Sequence, residues 1–306
     1  MEDTVTSRNK TITTTVSEGA EYLARCLTAD KLRAGESALD ATINGDMRAV
    51  CPLLAPGCAD LIVADPPYNL TKHYDGTAFR RRGDQEYEEY TRAWLTAVEP
   101  LLSERGSIYV CCDWQSSLII ARVLGELFTV RSRITWQREK GRGARRNWKN
   151  GMEDIWFATR GEEYTFNLDA VRQRRRVIAP YRTDGQPKDW VESAGGSYRD
   201  TCPSNFWDDI TVPFWSMPEN TAHPTQKPEK LLAKLILASS NPGDTVLDPF
   251  LGSGTTSVTA KKLARHYIGI ELEPRYCVWA EQRLERADTD KRIQGYDGVF
   301  YDRNFK

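Results

Sequence analysis

The chain has 306 residues, 40% hydrophobic and 28% charged, with a formal net charge of −1, enough for one large α/β domain or two modest ones. That balance excludes a polycation, and no apolar run reaches bilayer length or has the form of a secretory leader, so a cytoplasmic, non-membrane protein is expected. Seven cysteines lack CxxC spacing and histidine partners, which argues against a metal site and for reduced thiols.

Residues 1–40 are polar, with one amphipathic stretch that predicts a helix from Ala20 to Leu32. From 41 onward, short apolar runs alternate with helical patterns, the signature of a parallel sheet covered by helices. Strands are predicted at 41–45, 59–65, 106–113, 128–137, 154–160, 244–250 and 266–272, and helices at 84–102, 115–127, 228–240, 254–264 and 274–287. The fold class is therefore α/β, a doubly wound, seven-stranded, mostly parallel sheet. "ITWQ" and "EDIWFATR", joined by a basic loop, read as an antiparallel pair. Residues 162–222 break the rhythm with dispersed Pro, Gly, Trp and Arg and read as an insertion; the final "IQGYDGVFYDRNFK" carries no legible chemistry.

The run "LIVADPPYNL" (61–70) ends a buried strand with an acid, two prolines and a tyrosine. Proline cannot donate to a ladder and fixes its own φ, so the strand stops here in a stiff corner. A second corner is "TVLDPFLGSGTT" (245–256), a strand running into a loop with Gly252 and Gly254 and then a helix. Glycines let the backbone approach a ligand, and the helix N-terminus offers free N–H groups. Glu271 closes the next strand, where an acid can accept hydrogen bonds from a ribose diol. The dinucleotide fingerprint would need glycine at 257, where Ser257 stands, so the pattern favours a smaller adenosine-bearing ligand over NAD.

The neutral total hides a local asymmetry. Between Arg131 and Arg182 there are 14 Lys/Arg against 6 Asp/Glu, including "REKGRGARRNWK" (138–149) and "RQRRR" (172–176). Basic residues interleaved with Trp and Asn suit a polyphosphate.

Taken together, "DPPYNL" (65–70), "HPTQKP" (223–228) and "DPFLGSGTT" (248–256), in that order, resemble the β-group of S-adenosylmethionine-dependent DNA amino-methyltransferases, N6-adenine type. The resemblance covers about Asn44 to Leu284 and extends to stand-alone bacterial adenine enzymes through "YTFNLDA" and "LILASSNPGDTVLDPF". It implies a class I methyltransferase fold divided into an N-terminal segment (1–40), a catalytic half (41–161), a target-recognition insertion (162–222), a cofactor half (223–287) and a tail (288–306). A base flipped out of double-stranded DNA would present its amine to Asp65 and to the carbonyl of Pro66, with Pro67 stiffening the corner and Tyr68 stacking on the ring.

S-adenosylmethionine would be wrapped by Asp248, Pro249, Phe250, Gly252, Gly254 and Thr255. Its ribose would fall to Glu271, its adenine to Asp46, and its carboxylate to Thr225, Gln226 and Lys227. His223 is expected to build a turn rather than act as a base. Arg142, Arg145, Arg146, Trp148 and Lys149 are the expected DNA contacts. Asp at the head of the motif favours adenine over the N4 amine of cytosine. An RNA methyltransferase and an inactive adenosine-sensing DNA-binding module are the rival readings. C5 chemistry is excluded because no Pro-Cys pair supplies the thiolate. The resemblance also admits a homodimer and a cognate restriction endonuclease as partners.

Overall fold

The computed structural model describes residues 8–70, 72–74, 77–79, 81–138, 145–178, 181–193 and 196–305. Its centre is a nine-stranded sheet in the spatial order 27–28, 41–44, 266–271, 245–248, 59–64, 102–112, 152–159, 129–137, 206–207. All seven expected strands are present; the sheet exceeds the expected seven because the two-residue strands Leu27–Thr28 and Phe206–Trp207 extend its edges. Neighbours run parallel except Met152–Thr159, which pairs antiparallel with both of its neighbours. The "ITWQ"/"EDIWFATR" pair is thus the antiparallel hairpin expected, closed at its loop end by Gln137↔Met152.

The central strands are apolar at successive positions because both of their faces are covered. Along Ala59–Ala64, Ile62 and Ala64 point to one core, with helices Asp84–Val98 and Ser117–Leu127; Leu61 and Val63 point to the other, with helices Glu229–Ser239 and Thr255–Lys262. Helix Asp84–Val98 carries acids in its first turn, where they suit the macrodipole, and buries Tyr87, Thr91, Trp94, Leu95 and Val98 on one stripe. Strand 59–64 sends its chain toward strand 102–112, whereas strand 245–248 sends its chain the other way, toward 266–271. The adjacent carboxyl ends of 59–64 and 245–248 therefore form the topological switch point, where open α/β sheets bind ligands.

Two peripheral segments differ from expectation. The helix expected from Ala20 to Leu32 is only Ala20–Leu23; Leu27 and Thr28 instead pair with Ile43 and Asn44 at the sheet edge, followed by a 3-10 turn at Ala29–Lys31. Edge pairing outcompetes a weak amphipathic pattern. The tail is not a free appendage: Phe300 and Tyr301 add a strand beside Gln173–Arg176, which also pairs with Tyr198–Thr201. Insertion and tail thus share one three-stranded sheet.

Residues 10–14 form a clip. Lys10 and Ile12 donate their N–H groups to the carbonyls of Trp215 and Asn220, at 2.7 and 3.0 Å. Ile12 packs with Val278 and Trp279, and the Trp279 indole donates to the Thr14 carbonyl at 2.8 Å.

Candidate active site

The switch point opens into a cavity of about 650 Å³, within the range of small-molecule sites. Every residue expected from the sequence to serve catalysis or the cofactor lines it, save Gly254. The corner at 65–70 is held from several sides. Asn69 exchanges two hydrogen bonds with the Arg82 backbone, at 2.7 and 3.0 Å, and the Tyr87 hydroxyl donates to the Pro67 carbonyl at 3.4 Å. These bonds stop the corner from relaxing, so the acid and the prolines stay aimed into the cavity.

Asp65 is engaged at both oxygens: Tyr68 donates to Oδ1 at 2.8 Å and the Lys227 ammonium to Oδ2 at 2.6 Å. Lys227 is buried; burial works against its charge, yet Asp65 and Glu153 outweigh that and raise its pKa above the ordinary lysine value. Burial, seconded by Asp65 and Glu153, pushes the Tyr68 hydroxyl well above its usual range. Glu153 is the residue that sequence reasoning missed. It lies on strand Met152–Thr159, is 4% exposed, and is ion-paired with Lys227 at 3.3 Å and with Arg138.

On the opposite wall, Asp248 accepts from Thr256 Oγ1 at 2.5 Å and from the Phe250 N–H at 2.9 Å. Burial dominates those bonds and lifts its carboxyl to about 7. Glu271 accepts the N–H of Gly252 at 2.7 Å and of Glu273 at 2.8 Å, and burial raises it too. Gly252 has φ +56°, and a Cβ there would lie 3.2 Å from His223 Nε2, so the loop is a cradle that only glycine fits. Gly254, φ +85°, stands behind the wall: a Cβ would meet Ala280 at 2.7 Å.

Other expected residues are busy with the chain itself. Gln226 accepts from Thr221 N and Oγ1 and donates to the Glu219 carbonyl, which builds the turn. His223 accepts the Thr225 N–H at 3.3 Å and stacks edge-on against Tyr276. Asp46 caps the short helix at Met47 and pairs with Arg48, whose guanidinium holds its carboxyl below the ordinary range. Phe250 meets Trp94 edge-to-face at 5.4 Å, and Tyr87, Tyr90 and Trp94 complete an aromatic wall. Their spacing, 87, 90 and 94, is one helix face, a signal present in the sequence that the helix predicted at 84–102 left unread.

Arg145, Arg146, Trp148 and Lys149 are exposed on the loop that follows strand Thr129–Gln137, with Trp148 at 93%. Arg142 lies outside the described residues. The loop leaves the sheet at the same carboxyl edge as Asp65, because strands 102–112 and 129–137 both pair antiparallel with 152–159.

A family model described as DNA methylase, of the N6/N4 methyltransferase class, matches residues 59–282. The chain belongs to that family. The methylase is 36% identical over 245 residues to the Type II methyltransferase M.HpaI of Haemophilus parainfluenzae, covering 78% of this chain and 71% of the relative. It is 35% identical over 252 residues to the DNA adenine methyltransferase YhdJ of Escherichia coli (strain K12), covering 80% and 82%. Among solved structures, the M1.HpyAVI–SAM complex aligns with a TM-score of 0.54 at 25% identity over 79% of this chain and 98% of the other. The cytosine-N4-specific PvuII DNA methyltransferase aligns with a TM-score of 0.62 over 86% and 92%, but at 17% identity it speaks for the fold alone. The class I methyltransferase fold expected from the sequence is thereby shown, and the methylase is an enzyme acting on DNA.

Proposed function

We propose that the methylase transfers a methyl group from S-adenosylmethionine to the N6 amine of an adenine flipped out of a specific double-stranded DNA sequence. The observation that carries this reading is the pairing, in one cavity, of the rigid Asp65–Tyr68 corner with the Gly252 cradle, the buried Asp248 and the half-buried Glu271. The relative named a DNA adenine methyltransferase, 35% identical over 252 residues, supports adenine over cytosine. Bound there, S-adenosylmethionine supplies an electrophilic methyl on a cationic sulfur.

The residues present fit such a ligand. Asp248 and Glu271 would be the counter-charge and the ribose acceptor, the Gly252 loop would admit the backbone-close portion, and Phe250 with Trp94 would form an apolar wall. On the base side, Asp65 and the Pro66 carbonyl would accept the two amine hydrogens, turning the nitrogen lone pair toward the methyl. Tyr68 would stack on the ring. An amine that gained the methyl there would become cationic and have to shed a proton. Asp65 takes the proton it sheds.

Because the Asp248 carboxyl titrates near 7, ligand binding is coupled to pH. Its folded value lies above its unfolded one, so the stability it contributes without ligand is full at low pH and lost as pH rises through about 7. A cation beside it reverses that preference and expels a proton. S-adenosylmethionine affinity is therefore expected to fall about tenfold per pH unit below about 7, and to flatten in Asp248→Asn; calorimetry in buffers of differing ionisation enthalpy measures the proton released.

Residues 145–149 would grip the DNA backbone, while the insertion and the tail strand sharing its sheet would read sequence. Arg145→Ala with Arg146→Ala should weaken DNA binding with little change in cofactor affinity and reduce the salt slope by about 2, one for each phosphate no longer neutralised. Fluorescence anisotropy across a salt series checks it. A homodimer or a restriction endonuclease would be further partners. The deciding experiment is long-read sequencing of DNA from a methylation-free host expressing the protein. N6-methyladenine at one motif is the result expected; N4-methylcytosine, or no mark, overturns the reading.

A further inference from the structure

Both donors that occupy Asp65 have the same second acceptor. Lys227 Nζ lies 2.6 Å from Asp65 Oδ2 and 3.3 Å from Glu153 Oε2; the Tyr68 hydroxyl lies 2.8 Å from Asp65 Oδ1 and 3.3 Å from that same Glu153 oxygen. The other Glu153 oxygen is held by Arg138, at the root of the basic loop. As it stands, each oxygen of the carboxylate meant to accept an amine already holds a donor from the chain itself, so an arriving amine must share those oxygens or displace the donors. A buried ammonium cannot be left without a counter-charge. Glu153, itself 4% exposed and sequestered from solvent, is within a small side-chain rotation of both.

We propose that Glu153 is a positioning residue that receives the Lys227 ammonium and the Tyr68 hydroxyl as the target base arrives, freeing the Asp65 oxygens for its exocyclic amine. The inference rests on the methyl-transfer reading above and deepens it. The transfer of partners has two effects. It opens the acceptor atoms, and it moves an ammonium away from an amine that itself becomes cationic on alkylation. The charged and titratable groups bearing on Asp65 are Lys227 from the 223–228 turn, Glu153 and Arg138 from the hairpin, Tyr68 from its own corner, Cys111 from strand Leu102–Cys112 and Asp248 from strand Thr245–Asp248. Of these, Lys227 is the only cation touching Asp65 among the described residues.

The test is single-turnover methyl transfer from saturating labelled S-adenosylmethionine to unmethylated genomic DNA, followed across pH. Glu153→Gln keeps the shape but removes the charge, so Lys227 stays on Asp65. Its rate is expected to fall roughly 10- to 100-fold with its acid limb displaced to lower pH, while cofactor binding holds. Glu153→Asp, which retains the charge, should recover most of the rate. Adding Lys227→Met to Glu153→Gln removes the stranded ammonium and should make the double variant faster than Glu153→Gln alone. A Glu153→Gln enzyme as fast as wild type, or a slow one neither relieved by Lys227→Met nor shifted in pH profile, overturns the proposal. Should Glu153→Gln not fold, Lys227→Met with Glu153 intact decides: the transfer takes Lys227 off Asp65 during the reaction, so this variant must keep the acid limb of wild type, and a limb moved upward overturns the proposal. A wild-type protein that transfers no methyl to DNA would sink the underlying reading and this inference with it.

Discussion

Asp65→Asn is expected to abolish most methyl transfer while leaving cofactor binding within a few-fold of wild type. Asn keeps one acceptor oxygen of similar shape, so the corner formed by Pro66, Pro67 and the Asn69–Arg82 bonds survives. What it loses is the second acceptor and the capacity to take a proton. Positioned proton acceptors contribute about 10²- to 10⁴-fold, and the rate should drop by that amount. Stability should change little. Removing one partner of a buried ion pair ordinarily costs about 3–5 kcal/mol, because a charge is left alone. Here Lys227 retains Glu153 at 3.3 Å, so that penalty is largely avoided. Single-turnover transfer, calorimetric cofactor titration and a melting curve, run on one preparation, separate these outcomes. A variant that also failed to bind cofactor would place Asp65 in a different role.

Gly254→Ala is expected to be the most destabilising one-carbon change in the cofactor half. The residue caps helix Thr255–Lys262 at φ +85°, a conformation costing an alanine about 1–2 kcal/mol. The added Cβ would also stand 2.7 Å from the Cβ and 2.8 Å from the Cα of Ala280, on helix Pro274–Thr289. Backbone cannot move aside as a lysine tip would, and overpacking of this kind adds about 1–3 kcal/mol. The sum, about 2–5 kcal/mol, should appear as a fall in Tm of roughly 2–4 °C per kcal/mol. Cofactor should restore part of it by mass action, since the cradle at Gly252 is untouched. Gly252→Ala, by contrast, should lose affinity more than stability, because its Cβ would press on His223 inside the cavity.

How much of this was legible in the sequence follows from the range of the interactions involved. The central strands, such as 59–64 and 245–248, declared themselves because a strand covered on both faces must be a short apolar run. The two corners declared themselves because proline and glycine there have no other local purpose. Glu153 did not, although it touches Tyr68 and Lys227: Lys227 is far along the chain, and "MEDIWFATR" reads as a strand start with a solvated acid. Gln226 and Asp46 were placed at the right wall, but pattern alone could not show that their polar atoms already serve Thr221 and Arg48. The tail was silent for the same reason. Two residues of edge pairing, Phe300 and Tyr301 with Gln173 and Arg174, leave no periodicity to find.

The clip at residues 10–14 bears on how the protein should be handled. Its polar, unremarkable composition invites trimming or an appended tag, yet it fastens the 215–222 segment, immediately upstream of the turn that carries His223 and Lys227, to the helix bearing Tyr276. A shortened version would still close its central sheet and look sound by circular dichroism. The damage would surface as leakage of nucleoside from a mouth whose hinge pin had been drawn.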